Sequence, residues 1–386
     1  MSANKPPFDG EWVKLGELIS KAPIERCGDA KYPVYSMTMR DGIVEQAGRF
    51  KKAIASKDTS SYKVVKKNQL VVGFPIDEGV IYVQNHDAPG IMSPAYNVWN
   101  IDLGRVDPSY LEFALHSPRS MAYYADKMRG TTARRRTLTA DGLREMEILL
   151  PSADGQIRVV NTLDEVRSLI EGANGQIAML DTLVKSRFVE MFGDPATNSH
   201  DLPIERLSDL GVLERGKSKH RPRNAPELRG GPDGPYPLVQ TGDIANAGLY
   251  LSTYNDTYTE LGLRQSKMWP KGTLCITIAA NIAQTTILAI DACFPDSVVG
   301  FTSGRTIQNV FLHYWFSFFQ SILEEQAPQA AQKNINLRIL SDLGVIAPGI
   351  EKQQEFASFV AEVDKSRFNL LKAYGSIIAL FRVLFP

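Results

Sequence analysis

The sequence is poor in the residues that hold metals or cross-link a chain. Its three cysteines (Cys27, Cys275 and Cys293) and five histidines are scattered without metal-ligand spacing. That leaves no disulfide framework and no metal site, and buried thiols in a reducing compartment fit it best. An excess of one charge is also missing. Lys+Arg and Asp+Glu both number 43, for a formal net charge of zero. This excludes a chain coated in positive charge but leaves room for clustered basic residues, because phosphates respond to the local field. No apolar run is long enough to span a bilayer. The most apolar stretch, VFLHYWFSFFQSIL (Val310–Leu323), is too short and contains His313 and Gln320, so it reads as a buried core helix. The opening MSANKPPFDGEW lacks the apolar centre of a signal peptide, and a cytoplasmic protein with no membrane contact is expected.

Catalytic motifs are equally scarce. GVLERGKS (Gly211–Ser218) matches the phosphate-loop pattern in letters, but that loop works only between a buried strand and a helix aimed at phosphate. Here the preceding LPIERLSDL carries charges, and Pro222 and Pro226 forbid a regular helix after it. Asn4-Lys5-Pro6-Pro7-Phe8 nearly matches the [DN]-P-P-[YF] signature of amino-methyltransferases, with Lys5 where the amide or acid must stand. Pro295-Asp296 could begin a nuclease motif, but no lysine follows before Lys333. The expected set of catalytic residues is therefore empty, and so is the set of metal ligands.

What the sequence does have is size and repetition. A chain of 386 residues with 44% hydrophobic and 22% charged residues is an ordinary globular protein large enough for two or more domains. GLREMEILLPSADGQ (Gly142–Gln156) and ILSDLGVIAPGIEKQ (Ile339–Gln353) align at a constant offset of 197, which brings Pro151 onto Pro348 and Gln156 onto Gln353. The openings of the halves also agree, WVKLGELI (Trp12–Ile19) with IERLSDLG (Ile204–Gly211). Matches in a shared order indicate a duplication. Each copy begins with short β-rich runs bounded by turn residues, such as QLVVGF (Gln69–Phe74) and TLCITIA (Thr273–Ala279). A short helical stretch follows, then a long helix.

The long helices carry the clearest period. In the first, apolar residues include Leu163, Val166, Ile170, Ile177, Leu180 and Val184; in the second, Val360, Val363, Leu370, Tyr374, Ile377 and Phe381. Steps of four and three are the pattern of a seam between two helices. Arg187 and Arg367 interrupt it. The first helix would be roughly 50 Å long at 1.5 Å per residue. Two amphipathic helices that cover their own domains would give the same period as two helices paired into a spacer. Pairing explains why a matching partner exists on the same chain.

Basic residues gather in two places. RGTTARRR contains Arg129, Arg134, Arg135 and Arg136 without an acid, and RGKSKHRPR contains Lys217, Lys219, Arg221 and Arg223. Such side chains meet phosphates or, as bidentate donors, the guanine edge, while glutamine and asparagine read adenine. Gln240, Thr241, Asn281 and Lys333 complete the candidate DNA-binding set. A solvated loop would have the same composition, and one of the three adjacent arginines could instead pair with acids.

In this order of segments the chain resembles the specificity subunit of type I restriction-modification systems. The resemblance rests on LPIERLSDLGVLERGKSKHRPR with GPYPLVQTGDI, and on QAAQKNINLRILSDLGVIAPGIEKQQEF (Gln329–Phe356) with its echo TTARRRTLTADGLREMEILLPSADGQIRVV. It is weaker in the first copy, where RRRTL stands in place of QKNIN. The resemblance implies an α/β (α+β) fold with target-recognition domains at 1–151 and 194–348, and spacer helices at 152–193 and 349–386. It also implies a non-enzymatic reader of double-stranded DNA, one half-site per domain, acting in phage defence. Two methyltransferase subunits would dock along the helices, where Arg158, Arg167, Lys185 and Arg187 offer a charged face, and restriction-motor subunits would join them. S-adenosylmethionine, ATP and Mg2+ would be bound by those partners and not by this chain. A coiled-coil scaffold without a DNA role, a P-loop nucleotide hydrolase, and a reader from a related restriction class are the alternatives.

Overall fold

The computed structural model describes residues 9–39, 41–49, 58–128, 136–220, 222, 225–279, 282–318 and 335–384. The chain forms two compact units, one of Met1–Ala173 with Lys372–Pro386 and the other of Asn174–Leu371.

Unit 1 opens on a strand, Glu11–Lys14, that pairs antiparallel with Glu147–Leu150, placing Trp12 opposite Leu149. Its main sheet is antiparallel, in the order Ile19–Lys21, Asn97–Ile101, Gln69–Val72, Ile81–Val83. Leu70, Val71 and Val72 are all buried. A run without alternation is what a strand covered on both faces requires. The helix Pro108–Leu115 begins where the Asp107 carboxylate accepts from the Ser109 and Tyr110 N–H groups and proline presets the first φ. It buries Tyr110, Leu111 and Leu115 in the unit 1 core.

Unit 2 is built to the same plan. Ile204–Arg206 pairs with Gly344–Ile346, and the main sheet runs Gly211–Arg215, Val298–Ser303, Leu274–Thr277, Thr285–Leu288, Tyr250–Leu251. The two β-rich runs of the sequence repeat, Gln69–Val72 and Leu274–Thr277, both lie inside their sheets. After each opening strand a backbone N–H reaches the segment before the long helix, Leu15 to the Met146 carbonyl at 2.7 Å and Leu207 to the Leu343 carbonyl at 2.9 Å. The stretches that repeat most clearly in sequence are thus hydrogen-bonded neighbours within each unit. A second sheet, in the order Asp256–Tyr258, Tyr236–Leu238, Ala292–Cys293, Met268–Trp269, belongs to unit 2.

One side chain in each unit ties the start of the long helix to the domain. In unit 1 the buried Gln156 accepts from Asp107 N at 2.7 Å and donates to the Arg105 and Pro151 carbonyls at 3.1 Å each. In unit 2 the buried Gln353 accepts from Gln308 N at 2.9 Å and donates to the Thr306 and Pro348 carbonyls at 2.9 and 2.7 Å. Asp107 and Gln308 are the N-caps of the equivalent helices Pro108–Leu115 and Asn309–Phe316. A backbone donor and two backbone acceptors are satisfied by one amide, which suits glutamine and no other side chain of its length.

The two long helices are Ala153–Phe192 and Ile350–Leu384, and the expected period appears as burial. Leu163, Val184, Val360 and Val363 are buried, and Val166, Ile170, Ile177, Leu180, Leu370 and Tyr374 are half-buried. The side chains of Ile377 and Phe381 lie outside the described residues. The seam is not purely interhelical, and this corrects the sequence reading. Leu163 joins the unit 1 core, while Val184, Val360 and Val363 join a core that also holds Phe311, Tyr314 and Trp315. A globular helix carries an apolar stripe broad enough to meet both a partner helix and its own domain.

Within unit 2 the helices run antiparallel, because Arg187 pairs with Glu355 at 2.9 Å and Arg367, nearer the chain end, pairs with Asp181. The two arginines that break the heptads are therefore ties between the helices. Arg187 is accordingly not part of a free charged face, and Arg167 lies 5.3 Å from the Phe113 ring centre.

Beside this pair, His313 is bonded through Nδ1 to the Thr285 hydroxyl at 3.0 Å. Burial, aided by the positive charges of Arg367 and Lys185 and opposed by Thr285, pushes its imidazole down to about 4. The folded state keeps it neutral, so its contribution is complete above the unfolded value near 6.5 and is lost as pH falls toward 4. A urea titration series should show unit 2 losing up to about 3 kcal/mol across that window through this group. The loss should shrink in His313→Gln, and an unchanged pH slope in that variant would refute the assignment.

The cysteines are buried as expected. Cys27 donates to the Ala30 carbonyl at 3.0 Å in unit 1. In unit 2 burial raises the thiols of Cys275 and Cys293, the latter to about 11. Among the described residues no helix is long and apolar enough to cross a membrane. None of their His, Cys, Asp and Glu side chains cluster as a metal site.

Candidate nucleic-acid interface

The unit 2 basic loop leaves the edge of the five-stranded sheet. Gly211–Arg215 pairs on one side with Val298–Ser303, and the chain then passes through Gly216–His220 without forming a helix. Both glycines of the phosphate-loop match have a packing reason. A Cβ on Gly211 would come within 2.4 Å of the Thr302 carbonyl, and one on Gly216 within 2.3 Å of the Pro295 carbonyl. The Lys217 ammonium lies 3.4 Å from Glu214. With no helix leaving the loop among the described residues to aim N–H groups at phosphate, the nucleotide reading has no geometry behind it.

What remains is a basic rim. Arg215 donates to the Asp296 carbonyl through Nε and a terminal nitrogen, at 3.0 and 2.6 Å. Glu214 accepts from Lys267 and Lys217, and these hold its carboxyl below the ordinary value. Lys267 lies 3.9 Å from the Trp269 ring centre, an ammonium placed over an aromatic face. Lys219 is exposed and has no carboxylate partner among the described residues. Its loop is held by a segment that charge counting along the chain had passed over, Arg264–Lys267. His220 N donates to Gln265 Oε1 at 3.1 Å, Lys219 N to the Gln265 carbonyl at 3.4 Å, and the Ser266 hydroxyl to the Lys217 carbonyl at 2.9 Å. The signal available was the run LGLRQSKMWPKG, with three basic residues and no acid.

Residues 205–375 match the family model described as Type I restriction modification DNA specificity domain. Over that stretch the chain is similar to that domain family. The fold agrees over the full length. A chain from a study of complex assembly and conformational transition in a type I R-M system covers 99% of this chain and 98% of its own, at 17% identity and a TM-score of 0.58. A Type-I restriction-modification system S subunit from M. genitalium covers 99% of each at 15% identity and a TM-score of 0.51.

In unit 2 Gln240 and Thr241 stand apart from the basic loop, at the start of the helix Thr241–Asn246. Gln240 is exposed, and its N–H donates to Asp243 at 2.8 Å. The other oxygen of Asp243 accepts from Asn255 at 2.6 Å, which fixes the helix start with an amide-bearing side chain beside it. Arg221, Arg223, Asn281 and Lys333 lie outside the described residues, as do Arg129, Arg134 and Arg135 of unit 1. Arg136 is described, and there the structure departs from the expectation. Its side chain is only 23% exposed, and its guanidinium is paired with both Asp77 and Glu78. Its carbonyl accepts from Ile76 N at 3.0 Å. Two carboxylates already neutralise this arginine, so it braces the chain against the Ile76–Glu78 turn and is not available to phosphate.

Proposed function

We propose that this chain is the DNA-reading subunit of a type I restriction-modification complex, in which each unit reads one half of a split target. The observation that carries the reading is the duplicated anchor, Gln156 and Gln353, which joins a long helix to an equivalent N-cap in each unit. A protein that presents the same mount twice is suited to holding two readers. The long helices act as spacer and as the docking face for two methyltransferase subunits, with restriction-motor subunits added to them. S-adenosylmethionine, ATP and Mg2+ belong to those partners, and this chain performs no chemistry.

Phosphate contacts from the basic rim would set register, and exposed polar side chains such as Gln240 would read base edges. Two half-sites multiply discrimination, since each mismatched base pair costs roughly 1–3 kcal/mol. The test is sequencing that detects N6-methyladenine in a host with active partner subunits, with and without this gene. A split, asymmetric methylated motif should vanish with the gene. If every methylated motif survives, the reading fails and the scaffold alternative replaces it. In the assembled complex, Lys219→Ala should lower the slope of log affinity against log salt by about 0.9 for matched and unmatched duplexes alike, the signature of one lost phosphate contact.

A further inference from the structure

We infer that the segment Arg264–Lys267 forms a second edge of the DNA-facing surface of unit 2, in which Arg264 meets a phosphate and Gln265 is the positioning residue for the Lys217–His220 loop. The inference rests on the DNA-reading function proposed above and adds residues that function did not require.

The geometry comes from both sides of the loop. Three hydrogen bonds run between the segments, two made to Gln265 and one from Ser266. They fix the backbone on both sides of Ser218, and with it the direction in which Lys219 leaves the surface. Arg264 ends the helix Glu260–Arg264, is exposed, and has no carboxylate partner among the described residues. The neighbouring cations are occupied differently, Lys267 and Lys217 by Glu214 and Arg215 by the Asp296 carbonyl. Arg264 and Lys219 are thus the two cations of the paired loops for which the described residues supply no counter-charge. A segment that begins at a helix end and closes into the Met268–Trp269 strand, where Trp269 is buried, is a firm support. Trp269 is stacked on Phe294 with ring centres 4.7 Å apart. With no carboxylate partner among the described residues, Arg264 meets an anion without giving up an existing ion pair, and its planar fork loses less freedom per hydrogen bond than a lysine would.

The test uses the full chain assembled with its methyltransferase subunits. The probes are a fluorescein-labelled duplex carrying the motif found by methylation mapping and a shuffled duplex of equal length, titrated over a range of salt. Arg264→Ala should weaken both duplexes equally and lower the salt slope by about 0.9. Gln265→Met keeps the side-chain volume, removes the acceptor and changes no charge, yet it should also lower the slope, by releasing Lys219. A residue that served stability alone would leave the slope untouched, and thermal unfolding of each variant reports whether the fold survives. If Gln265→Met fails to fold, Arg264→Ala decides alone. If Lys219→Ala lowers the slope while Arg264→Ala and Gln265→Met keep the wild-type value, the inference is overturned and the proposed function stands. If the wild-type complex shows no preference for the mapped duplex, the proposed function falls and the inference with it.

Discussion

Replacing Phe188 by alanine should destabilise unit 2 by about 3–5 kcal/mol, the usual cost of emptying a large aromatic site in a core. Phe188 is fully buried near the end of the central helix. Its ring centre lies 5.0 Å from Phe192, 5.2 Å from Phe311, 5.5 Å from Phe318 and 5.4 Å from Phe356. One side chain therefore joins three elements: its own helix, the short helix Asn309–Phe316 with the turn that follows it, and the distal helix. None of these neighbours can collapse into the void without leaving another. Phe188→Leu retains more of the volume and should cost less than half as much. Urea unfolding followed by near-ultraviolet circular dichroism would read both variants. A loss below about 1 kcal/mol in Phe188→Ala would mean that the aromatic cluster is loosely packed, contrary to its burial.

The second large effect concerns Gln353. Removing its amide leaves the Gln308 N–H and the carbonyls of Thr306 and Pro348 without their partner in a buried site. Gln353→Ala should cost about 2–4 kcal/mol, and Gln156→Ala a similar amount in unit 1. A sharper version is Gln353→Glu. The introduced carboxylate keeps the acceptor for Gln308 N but turns its other oxygen toward two carbonyls, which disfavours ionisation. Its folded value should lie above the ordinary carboxyl value of about 4.3, so the variant binds more protons folded than unfolded. The substitution should therefore be tolerated best in acid, with stability declining as pH rises above that ordinary value. Equal destabilisation at pH 4 and pH 7, after correction for the wild-type trend, would show that the amide nitrogen is not what the site uses.

The duplication was legible because both copies retain the same local letters at one offset. The long helices were legible because a heptad is a local period. The long-range partners were not. Gln156 and Gln353 stood out as a match, but their role depends on backbone groups at sequence separations of 49 and 51 for Gln156 and 45 and 47 for Gln353. Arg187 and Arg367 looked like faults in a stripe until the carboxylates 168 and 186 residues away came beside them. Arg136 shows the same limit in the other direction. A cluster of cations suggests phosphate, and only the fold reveals that Asp77 and Glu78 are already there. The Lys217–His220 loop was found by counting charge, whereas its companion Arg264–Lys267 enters through a hydrogen bond across 49 residues. Periodicity and composition report neighbours along the chain, and ion pairs and amide anchors are decided by neighbours in space.

The three buried thiols give the molecule an internal clock. Cys27 is confined to unit 1, and Cys275 and Cys293 to unit 2. A thiol inside a packed core reacts with an alkylating reagent only when that core opens, so the label records opening events and not surface exposure. Mass spectrometry of a timed alkylation would date the opening of each unit separately on an unmodified chain. Two matched rates would mean that the duplicated halves breathe as one cooperative body, and two distinct rates that each keeps its own time.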